Sequence, residues 1–175
     1  MLNSTFVELA WPLLIRIKKH MRIRVIIAQQ IAELLDGDQV IQRYVVSTSA
    51  QGPGFEPGSN RTPTGHLRIA EKIGDGLELG AVLKGRRPTG EVWSADPQNP
   101  LSQSTQDLIL TRILWLEGCD PENSNTRGRY VYFHGTNQEQ LLGTPASHGC
   151  IRMSNLDVID LFDRVEVGTE VEILV

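Results

Sequence analysis

Seven residues, Ser147-His148-Gly149-Cys150-Ile151-Arg152-Met153, put a thiol, an imidazole, a flexible backbone joint and a guanidinium in one short run. A second imidazole, His134, stands sixteen positions before Cys150 and closes the apolar run Tyr130-Val131-Tyr132-Phe133. A cysteine and a separate histidine are the minimum for thiol nucleophilic catalysis: the sulfur attacks and the imidazole takes its proton. Gly149 permits a tight turn, so backbone N–H groups around Cys150 can converge on an oxyanion. Arg152 offers a planar fork suited to a carboxylate. A thiol working this way needs a lowered pKa, which an imidazole within hydrogen-bond reach supplies. Cys119, between Gly118 and Asp120, has no such partner in the sequence. Taken singly, each residue also has a structural reading, such as a buried thiol before an aliphatic residue or a His-Gly turn. The joint pattern is what points to chemistry.

The elements that must hold these residues read as mostly strands. Met21 to Ile27 alternates, and Ile31–Leu35 and Val40–Val46 flank the hairpin signal Asp36-Gly37. Ser49 to Thr64 is rich in Gly, Pro and Ser and reads as a loop, long enough to wall a site. Gly65 to Ile73 alternates again. Short strands at Ala81–Leu83 and Glu91–Trp93 are expected around an Arg87-Pro88-Thr89-Gly90 turn, followed by a polar loop from Asp96 to Thr105. Leu108 to Leu116 is apolar almost throughout, and its β-branched and aromatic residues favour strand. After a polar loop from Asp120 to Gly128, a strand over Arg129–Phe133 is expected to deliver His134 at its end. Ser154 can cap a helix from about Leu156 to Val165, with Leu156, Ile159 and Phe162 on its apolar face. Gly168 stops the chain, and Val171 to Val175 forms a last strand.

At 175 residues, with 40% apolar and 22% charged residues, the chain suits one globular domain with a real core. A net charge of −4 argues against a nucleic-acid surface. Two cysteines are too few for a disulfide scaffold. Residues 1–20 read as an N-terminal extension, or as a start placed upstream of a true one at Met21. The apolar stretch Phe6–Ile17 is broken by Glu8, Pro12 and Arg16 and is shorter than the roughly 20 residues a span needs, so no integral membrane segment is expected. Its positive cluster follows the apolar part, so it does not read as a secretory signal.

His134-Gly135-Thr136 followed by Ser147-His148-Gly149-Cys150-Ile151-Arg152-Met153 resembles the L,D-transpeptidase (YkuD-type) catalytic domain. The resemblance extends to Thr62-Pro63-Thr64-Gly65 and to Val167-Gly168-Thr169-Glu170-Val171-Glu172-Ile173, and so covers about 21–175. It implies a mainly β fold, a sandwich or barrel with one or two short helices. It implies acyl transfer on peptidoglycan stem peptides, both donor and acceptor, with no cofactor and no metal, and inhibition by carbapenem β-lactams. By the same resemblance Cys150 is the nucleophile and His134 the base. The carbonyl of Gly135 orients the imidazole, His148 and Gly149 belong with Cys150 to the oxyanion region, and Arg152 and Ser147 shape the substrate pocket. Arg152 has two open readings, binding a substrate carboxylate or pinning the loop through backbone carbonyls. The family's substrate lies in the cell envelope, whereas the absence of an evident export signal keeps a cytoplasmic location open. Two other functions compete. His134, His148 and Cys150 are three zinc-ligand types, although no H-E-x-x-H or paired C-x-x-C spacing accompanies them. The alternative is a non-catalytic module that binds wall peptides.

Overall fold

The computed structural model describes residues 21–175; the expectations for 1–20 lie outside the described residues. Ten strands run in chain order as β1 (Met21–Ile26), β2 (Ile31–Asp36), β3 (Gln39–Ser47), β4 (Gly65–Ile73), β5 (Ala81–Lys84), β6 (Arg87–Val92), β7 (Ile109–Gly118), β8 (Tyr132–Gly135), β9 (Ile151–Met153) and β10 (Glu170–Leu174). One α-helix, α1 (Asn155–Arg164), lies between β9 and β10. The strands pair in the order β4-β10-β1-β2-β3-β9-β8-β7, and β7 pairs back onto β4. This closes an eight-stranded barrel with no free edge, from which the β5–β6 hairpin extends alongside β7. The mainly β expectation holds.

Alternation sorts side chains to the two faces of the wall. Ile23 and Val25 pair in register with Val171 and Ile173, and all four are buried in the barrel core. Leu67, Ile69, Leu114, Leu116, Phe133, Ile151 and Met153 join them. Residues one step out of phase, Ile113, Trp115, Tyr132 and Cys150, form a second apolar cluster with Leu83 on the outer face, beside the β5–β6 hairpin.

The structure moves three expected features. The β5–β6 turn is Gly85-Arg86, with φ of +56° and +66°, and Arg87–Val92 is strand. Two consecutive positive φ values make the tight turn that a two-residue hairpin needs. Pro88 is tolerated because β6 is an edge strand pairing only with β5. Tyr130 takes a φ of +59°, which delays the start of β8 to Tyr132 and puts His134 inside that strand, not after it. Ser154 caps α1 as expected, its side chain accepting from the Asp157 N–H at 3.1 Å. The helix, however, buries Asn155, Val158, Leu161 and Phe162 and leaves Leu156 exposed. Val158, Leu161 and Phe162 at i, i+3 and i+4 are the stripe that packs into the core.

Candidate active site

Strands β8 and β9 run parallel, with His134 beside Arg152 and Phe133 beside Ile151. Phe133 and Ile151 point into the barrel. Alternation therefore turns His134, Cys150 and Arg152 to the opposite, outer face, with Cys150 one diagonal step from His134. Two segments far apart in sequence are thereby brought together by one strand pairing.

His134 is buried, 2% exposed. Its Nδ1 lies 2.8 Å from the Gly135 carbonyl oxygen. A carbonyl only accepts, so Nδ1 carries the proton and Nε2 keeps its lone pair, the tautomer a base requires. Gly135 has a packing reason as well. A Cβ there would collide with Asn155 Oδ1 and meet the Leu110 carbonyl at 2.9 Å. Asn155 is itself fixed, donating to the Thr136 carbonyl and to Glu139 Oε1 at 2.8 Å each and accepting from Thr111 Oγ1 at 2.6 Å.

Burial lowers the His134 pKa below the usual imidazole value, against an opposing pull from the Gly135 carbonyl. Burial also pushes the Cys150 thiol up to about 12, although the Tyr132 backbone N–H favours the thiolate. Asp107 raises the thiol further and Arg152 offsets it. The Cys150 S–H donates to the Tyr130 carbonyl at 3.5 Å. The resting pair is thus a thiol beside a neutral imidazole. This corrects the expectation of a lowered thiol pKa: desolvation in the Tyr132–Trp115 cluster outweighs the polar groups around the sulfur.

Arg152 is 1% exposed, and its partners are internal. Nη1 pairs with Asp107 Oδ2 at 3.2 Å and donates to Gln138 Oε1 at 2.9 Å, while Nη2 donates to Ser47 Oγ at 3.0 Å. Ser147, 2% exposed, donates its hydroxyl to the Cys150 carbonyl at 2.6 Å and accepts from the Gly149 N–H at 3.2 Å. Neither side chain reaches the cavity in which the pattern placed it. Arg152 does tie loops together, but through side-chain acceptors, not backbone carbonyls.

Asp107 is the residue sequence reasoning missed. Besides Arg152, it accepts from Thr136 Oγ1 at 3.2 Å and lies 4.0 Å from His148 Nδ1. A single carboxylate at the end of a polar loop carries no local pattern that would reveal these partners. The His148 side chain is 76% exposed.

Gly149 has a φ of +117° and packs on the Ser49–Thr64 loop, where an added Cβ would meet the Arg61 carbonyl at 3.3 Å. Thr62 Oγ1 donates to the Gly149 carbonyl at 3.1 Å, which gives the Thr-Pro-x-Gly element a position against the Ser147–Cys150 turn. Arg129 fastens the same loop by donating to the carbonyls of Gly54 and Arg61. The loop does wall the site. Gly58 and Asn60 line a cavity of about 100 Å³ together with Arg129, Tyr130, His148 and Cys150. Among the described residues no three His, Cys, Asp or Glu side chains converge as a metal-ligand set, and His134 Nδ1 is committed to Gly135.

The family model of the YkuD L,D-transpeptidase catalytic domain matches residues 20–173. The chain belongs to this family. Among curated relatives, it is 41% identical over 67 residues to a putative L,D-transpeptidase, YqjB, of Bacillus subtilis, 32% of this chain and 38% of that one. It is 45% identical over 47 residues to the probable L,D-transpeptidase YbiS of Escherichia coli, 27% of this chain and 15% of that one. The matches therefore span well under half the length of those relatives. The fold is similar to that of an L,D-transpeptidase from Mycobacterium smegmatis, with a TM-score of 0.57 at 17% identity, covering 90% of this chain and 59% of that one. It is also similar to L,D-transpeptidase 3 from Mycobacterium tuberculosis, described in complex with a faropenem-derived adduct, with a TM-score of 0.55 at 16% identity, covering 90% and 61%. Among the described residues no helix is long and apolar enough to cross a membrane.

Proposed function

We propose that residues 21–175 form a cysteine acyltransferase domain that acts on peptidoglycan stem peptides, with Cys150 as nucleophile and His134 as base. The observation that carries this reading is the His134 Nδ1–Gly135 contact at 2.8 Å, which leaves Nε2 basic on the face that Cys150 shares. A backbone carbonyl here does the orienting work of the carboxylate in a Ser-His-Asp triad.

The neutral resting pair sets the order of events. A donor carbonyl of an L-to-D peptide bond enters the cavity, and the sulfur attacks as its proton moves to Nε2 of His134. The oxyanion is held by backbone amides of the catalytic turn. The Gly149 N–H is already turned to Ser147 Oγ, which leaves those of His148 and Cys150 for this role. The C–N bond breaks, the amine of the terminal D-residue takes the proton from Nε2, and a thioester remains on Cys150. An acceptor amine then attacks the thioester, passes its proton through His134, and forms a 3→3 crosslink as Cys150 recovers its thiol. Water as acceptor gives an L,D-carboxypeptidase, and an amine of another protein gives anchoring. Arg152 is a positioning residue in this scheme. Its guanidinium, tied to Asp107, Gln138 and Ser47, fixes β9 next to β8 and so the spacing of Cys150 and His134.

The test is acylation by carbapenems, whose strained carbonyl takes the donor's place. Intact-mass measurement should show one adduct that disappears in Cys150→Ala. A reduced protein that gives no adduct with several carbapenems overturns the acyltransferase reading and leaves a peptide-binding module. Crosslinked stems lie in the cell envelope, and we place the enzyme there. Fractionation of a tagged chromosomal copy checks this, and a purely cytoplasmic signal would turn the substrate into precursor or recycled peptides.

A further inference from the structure

We propose that Arg86, at the tip of the β5–β6 hairpin, is a specificity residue that binds a free carboxylate of the donor peptide beside Cys150. The inference rests on the acyltransferase reading above. The Arg86 guanidinium lies 4.6 Å from the Trp115 ring centroid and 4.9 Å from that of Tyr130, two rings stacked at 5.9 Å. Its Nη1 donates to the Tyr132 hydroxyl at 3.3 Å. These contacts lead to the nucleophile. Tyr132 and Trp115 share an apolar cluster with Cys150, the Tyr130 carbonyl accepts from the Cys150 thiol, and Tyr130 lines the cavity that holds Cys150.

The cation is held in place but not neutralised. Arg86 makes no ion pair among the described residues. Arg127, which covers the same Trp115 ring at 4.9 Å, is paired with Glu71 and Glu117 at 3.7 and 3.9 Å. Arg129, which lines the cavity at Cys150, spends its donors on the carbonyls of Gly54 and Arg61. Stacking on aromatic rings uses the faces of a guanidinium and leaves its in-plane N–H groups, apart from the one given to Tyr132, available to a carboxylate. A side chain already fixed by two rings and a hydroxyl gives up little rotamer freedom on binding. Arg152 cannot serve in this role, since its charge is buried against Asp107.

A donor stem with diaminopimelate presents two carboxylates near the scissile bond, one on the diaminopimelate side chain and one on the departing D-residue. Steady-state kinetics should compare three donors: free, amidated on the side chain, and amidated at the terminus. In the wild type, one of the two amidations should raise KM about tenfold with kcat little changed, a charge-assisted contact at a partly exposed site. Which amidation acts identifies the carboxylate. Arg86→Gln should raise KM for the free donor by the same factor and abolish the effect of amidation, and Arg86→Lys should restore most of it. Equilibrium binding of the free donor to Cys150→Ala, with and without Arg86→Gln, gives the same comparison without turnover. A wild type indifferent to both amidations overturns the inference and leaves the acyltransferase reading intact. So does an Arg86→Gln variant that stays as sensitive as the wild type. A wild type that turns over no donor overturns both.

Discussion

A cysteine nucleophile held as a thiol should be slow towards reagents that bring no base and no binding energy. With a pKa of about 12, Cys150 at pH 7.4 is thiolate to about 3 parts in 10⁵, whereas an ordinary cysteine of pKa about 8.5 is thiolate to about 7%. That is a deficit of about 10³·⁵. The more basic thiolate is intrinsically more nucleophilic, with a Brønsted slope of about 0.45, which returns about 10¹·⁵ over the 3.5-unit gap. The net expectation is alkylation about a hundredfold slower than a free thiol. Cys119 is exposed, and although partial burial raises its pKa, Arg68 pulls it the other way. Iodoacetamide at pH 7.4, followed by peptide mass spectrometry over time, should therefore modify Cys119 well before Cys150. The Cys150 rate should climb about tenfold per pH unit through the alkaline range and should barely change in His134→Ala. Carbapenem acylation of the same protein should stay fast at pH 7.4, because His134 takes the proton during attack. Faster labelling of Cys150 than Cys119 at neutral pH, falling in His134→Ala, would show that the sulfur rests as a thiolate paired with an imidazolium and would refute the argument.

Three further outcomes follow from the same geometry. His134→Ala should lose at least about a hundredfold in rate, the ordinary contribution of a general base, while His148→Ala, exposed on the rim, should lose far less; initial rates decide, and the reverse order would mean the wrong histidine is assigned. Burial lowers the folded-state pKa of His134, so the unfolded chain binds the extra proton first; stability should be flat above about pH 6.5 and decline below it in urea melts, whereas the acid limb of a pH–rate profile should begin at lower pH, where the folded His134 itself takes a proton. Arg152→Ala removes the partner of Asp107 from a fully buried position and should cost about 3–5 kcal/mol in denaturant unfolding, with carbapenem acylation lost in step, whereas Ser147→Ala should be milder because it removes only neutral hydrogen bonds.

What the sequence disclosed is what depends on neighbours along the chain. Ser154 caps a helix because its own hydroxyl reaches a backbone N–H three residues on, and such a signal is visible locally. The heptapeptide around Cys150 was visible for the same reason. The β5–β6 turn was misplaced because Pro88-Thr89-Gly90 has turn composition, while the real turn depends on Arg86 adopting a left-handed conformation that no arginine advertises. Asp107 and the true orientation of Arg152 were hidden for a different cause. Their partners, Thr136 and Gln138 just after β8 and Ser47 at the end of β3, are drawn from two other segments, and only barrel closure brings them together. The upward push on the thiol is not legible locally, because desolvation is a property of the packed outer cluster, not of the residues adjacent to Cys150.

The pairing of β10 with both β1 and β4 dictates when this domain can fold during synthesis. Ile23 waits for Val171 and Leu67 for the same residue, so the register of the first strand is completed only by one of the last. A ribosome-bound chain lacking Glu170–Leu174 has two open strand edges and a core missing Val171 and Ile173. Contacts this distant in sequence make for slow folding, and the barrel cannot close before β10 is available to join β1 and β4. The same wait leaves the growing polypeptide exposed to chaperones and to its own sticky edges until β10 has been made.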